Sequence, residues 1–202
     1  MNRFAMSAMV GAMMTVVASA EAATYTANLS AANENPPTAS SGTGSTTVII
    51  DTAAHTLQII ATFSALTSGT TASHIHCCIA PPGNAGVATT TPTFTGFPLG
   101  VTSGSYNMTF STLAATTWNP AFITANGGTP AGAEAALAAG LASGQAYLNI
   151  HTTNFPNGEV RGFLVQASIA SAPVPTLSQW TIGLLGAVVL AAAWFSMRKR
   201  AA

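Results

Sequence analysis

The chain has 202 residues, only 5% of them charged, and a formal net charge of zero at pH 7. Arg161 is the sole basic residue between the two ends of the chain. A nucleic-acid-binding surface needs cationic side chains that displace counterions from phosphates, so the composition excludes that class of partner.

The first 20 residues have the pattern of a secretory signal peptide. Arg3 precedes a largely apolar run that reaches Val17, and the small residues Ala18-Ser19-Ala20 form a cleavage site. The alternative is a buried or membrane helix, but the run is short for a span of ~20 residues. The pattern therefore predicts that residues 1–20 are removed and that the mature chain is exported.

Residues 21–170 are expected to form one domain of short strands. Segments rich in β-branched and aromatic residues are separated by turn residues, and they are 25–31, 46–50, 56–63, 73–77, 105–110, 146–151 and 159–166. Thr129-Pro130 and the alanines that run to Leu141 favour one short helix, because Thr is a good N-cap and Pro suits the first turn. The pattern predicts an all-β fold, an immunoglobulin-like or Greek-key β-sandwich with one short helix.

Three of the four histidines lie in two of these predicted strands. His74 and His76 share a face because side chains alternate along a strand, and His151 belongs to the other strand. Such a set can bind one copper or zinc ion. Alternatively, the imidazoles only hydrogen-bond to backbone and neighbouring side chains and so join the strands. Residues 81–104 are predicted to be a long ordered loop that shapes this region, and His55 is expected to be a solvated residue of a hairpin loop.

Cys77 and Cys78 directly follow the histidine pair. In an oxidising exterior two thiols do not stay reduced, which leaves three alternatives. A vicinal disulfide is the first, an intermolecular bridge is the second, and metal ligation beside His74 and His76 is the third. Consecutive strand residues point to opposite faces, which argues against both cysteines binding one ion.

Few acidic residues accompany Arg161 in this domain. Glu159 and Arg161 are two residues apart, so strand spacing predicts a structural ion pair between them. Glu34 has three alternatives: it caps the first turn, it pairs with Arg161, or it is a solvated loop carboxylate. The chain has no nucleophile elbow, Cys-x-x-Cys or phosphate-binding loop, so the sequence predicts that the protein is not an enzyme. A metal-assisted redox activity is the one catalytic alternative.

The C-terminal region predicts a membrane anchor. Residues 180–197 are uncharged and apolar, close to the ~20 residues that cross a bilayer, and are predicted to be a transmembrane helix in the inner membrane. The basic tail 198–202 is expected to stay in the cytoplasm, so the domain faces the periplasm. Residues 171–179 are predicted to form a Pro-containing linker that holds a sorting motif.

The motif Pro175-Thr176-Leu177, followed by Trp180, resembles the bacterial IPTL-type C-terminal sorting signal, which is related to signals processed by exosortases. Val174 and Thr181 depart from the usual residues of that signal. The resemblance implies an exosortase-like processing enzyme as a partner and a cell-surface or extracellular location after cleavage. The alternative is a permanent single-pass anchor.

Three ordered blocks resemble the chordin-type (CHRD) domain over roughly residues 24 to 166. They are 29–37, with Leu29-Ser30, Glu34 and Pro36-Pro37; His74-Ile75-His76; and 149–162, with its His-Thr and Gly-Glu-Val-Arg-Gly steps. The resemblance implies a non-enzymatic module with a binding or structural role at the cell envelope, whose partner it does not identify. The alternative is an extracytoplasmic protein that binds a metal ion through the three histidines. One form of this alternative is a redox-active protein.

Overall fold

The computed structural model describes residues 22–167. The predicted signal peptide, sorting motif, transmembrane helix and basic tail lie outside these residues and stay predictions. Among residues 22–167, no helix is both long and apolar enough to cross a bilayer.

Eight strands form within the described residues. They are β1 (Ala23–Ser30), β2 (Thr43–Asp51), β3 (Thr56–Ser64), β4 (Thr70–Cys77), β5 (Gly104–Ser111), β6 (Ala146–Thr152), β7 (Val160–Phe163) and β8 (Val165–Gln166). Each predicted segment overlaps a strand, and the last one contains two. Runs of β-branched residues favour the extended backbone of these strands.

The eight strands belong to one antiparallel sheet in the order β4-β6-β7-β1-β2-β3-β5, with β8 paired to β1. The mostly β fold is confirmed. The predicted β-sandwich takes the form of one continuous sheet, because β1 pairs with β2 on one side and with β7 and β8 on the other, which joins the two halves. The result is a single curled sheet with sandwich-like layers.

A long loop connects the two end strands of this sheet, β4 and β5. Phe94 in this loop donates its backbone N–H to Ser73 O of β4 at 3.2 Å, and its ring stacks on Tyr106 of β5 at 5.9 Å between centroids. Ala88 also donates its N–H to Ile75 O at 2.9 Å. The loop therefore covers the edge of β4 and closes the curled sheet around the core.

The described residues contain two α-helices, α1 (Pro120–Ala125) and α2 (Pro130–Ala142), and 3-10 turns at Ala31–Asn33 and Ala115–Thr117. As predicted, α2 starts after Thr129, whose hydroxyl accepts the Gly132 N–H at 3.1 Å. The sequence analysis missed α1. Six residues are too few to show a helical period, and the helix is stabilised by the packing of Phe122 on Trp118, with centroids 6.2 Å apart.

Helix α2 packs against a disulfide between Cys77 and Cys78 at the end of β4. Gly140 faces this disulfide: a Cβ atom at Gly140 would overlap the Cys77 Sγ and lie 2.7 Å from the Cys78 Sγ. The sulfur atoms are bonded to each other and cannot rotate away independently. Glycine is therefore required at this position by space.

We predict that Gly140→Ala destabilises the fold. Replacing a helical glycine by alanine normally adds about 0.5–1 kcal/mol of stability, but overpacking a filled site costs about 1–3 kcal/mol. Chemical denaturation should show a net loss. Gly86→Ala is the control, because nothing lies within 4 Å of a Cβ at Gly86. A Gly140→Ala protein more stable than the wild type would contradict this packing.

Candidate metal centre

The register between β4 and β6 places the three histidines on one face of the sheet. His74 lies opposite Asn149 and His76 opposite Tyr147, and His151 follows two residues after Asn149 on the same strand. Directly paired residues share a face, as do residues two apart. The opposite face of both strands is apolar core.

The three imidazoles form a compact cluster. One ring nitrogen from each of His74, His76 and His151 lies within 4.8 Å of the other two. The Nδ1 of His74 and the Nε2 of His151 are 3.4 Å apart. Two nitrogens bound to one tetrahedral zinc ion at the usual bond length are separated by about 3.3 Å. This pair is thus spaced like two ligands of a single ion.

Backbone carbonyls orient all three rings. The contacts are His74 Nε2 to Pro92 O at 2.7 Å, His76 Nδ1 to Ala85 O at 2.9 Å, and His151 Nδ1 to Pro156 O at 3.0 Å. A carbonyl oxygen only accepts, so the ring nitrogen beside it carries the hydrogen. In the neutral ring the other nitrogen then presents a lone pair. Histidines that bind metals commonly show this arrangement, with the second ring N–H held by a carbonyl.

The surroundings keep these rings uncharged at neutral pH. Burial, followed by the neighbouring His151, lowers the pKa of His74 to about 4, against the raising effect of the Pro92 carbonyl. Burial likewise lowers the pKa of His76 to about 4 and lowers that of His151. Two lone pairs, on His74 Nδ1 and His151 Nε2, therefore face each other without a proton between them. A bound cation would relieve this repulsion.

Glu159 does not form the predicted ion pair with Arg161. Its fully buried carboxylate accepts the Ser40 hydroxyl at 2.6 Å, the Thr67 N–H at 2.7 Å, the Thr67 hydroxyl at 3.1 Å and the Thr152 hydroxyl. Glu159 also precedes β7, which begins at Val160, so strand alternation does not place it beside Arg161. The charged carboxylate is stabilised by hydrogen bonds from three loop and strand segments.

Arg161 instead binds the loops that cover the histidine face. It donates to Asn33 O, to Asn84 Oδ1 at 2.6 Å and to Pro82 O at 2.8 Å. The carboxylate near Arg161 is that of Glu34, whose Oε2 lies 3.9 Å from the Arg161 Nε. Pairing with Arg161 is one of the three alternatives for Glu34. Burial raises the pKa of Glu34 to about 7, although the Arg161 charge lowers it.

His55 is also not a simple solvated residue. Its Nδ1 lies 2.9 Å from Oε2 of Glu134, a buried residue of α2 that also accepts the Thr112 hydroxyl at 2.6 Å. The sequence analysis missed this contact, and it also missed the carbonyls of Ala85, Pro92 and Pro156. No pattern could have identified them, because a backbone carbonyl has no residue signature.

Comparison with known protein families gives one match. The family model described as the CHRD domain matches residues 25–164, more than half of the chain. The matched range contains the three histidines, the disulfide and both helices. No curated protein and no solved structure matches the chain.

The buried carboxylate of Glu159 predicts an acid-sensitive contribution to stability. Burial alone would raise its pKa, but the hydrogen bonds from Ser40, Thr152 and Thr67 lower it below its usual value. We expect Glu159→Gln to reduce the free energy of unfolding by on the order of 2 kcal/mol at pH 7. The difference from the wild type should persist above the unfolded pKa and shrink as the pH falls through the lower folded pKa. Denaturant titrations at pH 7 and pH 3 measure it, and an equal difference at both would contradict this role.

Proposed function

The chain belongs to the CHRD-domain family, and from this premise we propose that it is an exported, non-enzymatic binding or structural module of the cell envelope. We further propose that His74, His76 and His151 bind one copper or zinc ion. This second part takes up the alternative that the three histidines bind a metal ion, and it makes metal binding the binding activity of the module.

One observation carries the metal proposal: the lone-pair nitrogens of His74 and His151 face each other at 3.4 Å while their N–H groups point to carbonyls. Histidines that merely join two strands would pair a donor with an acceptor. Here each ring uses its donor on a covering loop. The acceptor sides are left together, and imidazole nitrogens of this kind suit zinc and copper.

His76 adds the third ligand. Its Nε2 is buried, and no hydrogen-bond partner for it exists among residues 22–167. The ring is stacked on Tyr147 with centroids 4.8 Å apart and planes 6° apart, so its orientation is set by packing as well as by Ala85. Three imidazoles leave at least one coordination position of the ion for water or another ligand.

The location of the module is proposed from its two ends. The predicted signal peptide supports export, and the predicted transmembrane helix 180–197 supports an inner-membrane anchor with the domain facing the periplasm. The Cys77–Cys78 disulfide is consistent with an oxidising exterior. The absence of lysine from the domain argues against nucleic-acid partners. Cleavage by an exosortase-like enzyme would move the domain to the cell surface or the medium.

We expect the full chain, purified in detergent, to retain about one zinc or copper ion per chain after loading and dialysis. His74→Asn and His151→Asn should each weaken the affinity by at least about 100-fold, because each removes one of the three ligands. Elemental analysis and a competitive chelator titration measure this.

His55→Asn is the matched control, because His55 lies outside the cluster and Asn tolerates its positive φ of 55°. Equal metal retention in the His151→Asn and His55→Asn proteins would contradict the site. A metal-dependent turnover, such as superoxide dismutation by the loaded protein, would instead contradict the non-enzymatic part of the proposal.

Processing of the C-terminus predicts a defined mass. Intact-mass spectrometry of the protein from its native envelope should show a first residue after Ala20 and a last residue near Pro175 to Trp180. A mature chain that still carries Arg200 would exclude cleavage and leave the single-pass anchor as the better description.

A further inference from the structure

A second concave site lies beside the histidine cluster. A cavity of ≈ 350 Å³ has exposed asparagines at its rim, Asn35, Asn84 and Asn157, while its buried lining includes Glu34, His76, Asn149 and Arg161. Cavities near this volume are at the small end of those that hold organic ligands. The polar groups that line it define what kind of ligand fits.

Three buried acceptors converge on this cavity. Within residues 22–167, the buried side-chain atoms without a hydrogen-bond partner are Glu34 Oε1, His76 Nε2 and Asn149 Oδ1, and all three residues line it. Glu34, His76 and Asn149 are 7%, 9% and 2% exposed, respectively. Buried acceptors without donors are costly. The metal proposal accounts for His76 Nε2, which leaves Glu34 Oε1 and Asn149 Oδ1 as the two acceptors that a ligand in the cavity would satisfy.

The cavity is unsuited to an anion. Arg161 is the basic residue in its lining, and its guanidinium already donates to Asn33 O, Asn84 Oδ1 and Pro82 O. An organic cation is also disfavoured, because the Arg161 guanidinium would repel it. The charge of Arg161 is buried, at 1% exposure, and is therefore poorly screened. A neutral ligand rich in hydroxyl donors meets neither obstacle.

The amide of Asn149, which carries one of these acceptors, occupies space beside Gly158. A Cβ atom at Gly158, in the turn between β6 and β7, would overlap the Asn149 amide nitrogen and lie 2.6 Å from its Oδ1. The missing side chain at Gly158 therefore leaves the space that the amide occupies.

We propose that this cavity binds a small uncharged polyhydroxy compound of monosaccharide size, whose hydroxyl groups donate to Glu34 and Asn149. The proposal goes beyond the metal site, because neither of these residues is one of the three histidine ligands. His76 is shared by the two sites, so a ligand in the cavity would lie next to a bound ion.

Saturation-transfer difference NMR on the full chain tests this proposal. The protein is solubilised in lauryldimethylamine oxide, which has no hydroxyl or N–H donors, and is treated with EDTA. Spectra are recorded at pH 8, because burial raises the pKa of Glu34 to about 7 and the carboxylate is ionised above that value. D-glucose is the probe, with methylammonium and acetate as charged probes of small size. We expect glucose to bind with a dissociation constant on the order of 1 mM.

Glu34→Gln keeps the shape of the side chain but removes its charge and should weaken glucose binding about three- to tenfold, and Asn149→Ala about tenfold. Asn107→Ala, an exposed position of β5 outside the cavity, should leave binding unchanged. Because Asn149→Ala can also affect folding, its circular dichroism spectrum is compared with that of the wild type. If the two spectra differ, the Glu34→Gln result alone tests the proposal.

No saturation transfer to glucose, or equal transfer in the wild type and Glu34→Gln, would overturn the proposal and leave buried water as the occupant. Methylammonium binding that is lost in Glu34→Gln, or acetate binding to the wild type, in either case without glucose binding, would overturn the assignment of a neutral ligand. Glucose binding by a wild-type protein that retains no metal after loading would support this site while contradicting the metal proposal. Metal retention without glucose binding would do the reverse, so the two failures are distinguishable.

Discussion

The antiparallel register between β4 and β6 is the constraint on which the candidate sites depend. It places His74 opposite Asn149 and His76 opposite Tyr147, while Ile75 and Leu148, both fully buried, pair on the other face. A slip of one residue would exchange the two faces, bury the imidazoles in the core and expose the apolar residues. The same apolar packing that stabilises the fold therefore keeps the histidines together.

A polar face of this kind has to be covered, and the loops cover it with backbone groups. The loop between β4 and β5 supplies the carbonyls of Ala85 and Pro92, and the turn after β6 supplies that of Pro156. These carbonyls determine which nitrogen of each ring carries hydrogen. Loops held by a rigid sheet are common places for binding sites, and here the loops select the tautomer on which metal binding depends.

The near absence of charge in the domain makes hydrogen bonding decisive. The charges of Arg161 and Glu159, which are almost or fully buried, are both stabilised by short hydrogen bonds to neighbouring segments. Against this background of satisfied groups, the acceptors of Glu34, His76 and Asn149 are conspicuous. Buried polar groups normally have partners, so the exceptions indicate where this protein meets another molecule.

Local patterns in the sequence determined the strands, the start of α2 at Thr129 and the common face of His74 and His76, because strand alternation and helix capping act over a few neighbouring residues. Only the tertiary structure decided the partners of buried groups. Glu159 and Thr67 are 92 residues apart in the chain, and Arg161 and Asn33 are 128 apart. The union of the strands in one curled sheet depends on β1 pairing on both sides, and α1 depends on Phe122 packing. Such contacts form between distant segments and leave no period or motif in the sequence, so the family resemblance located the domain but could not describe its site.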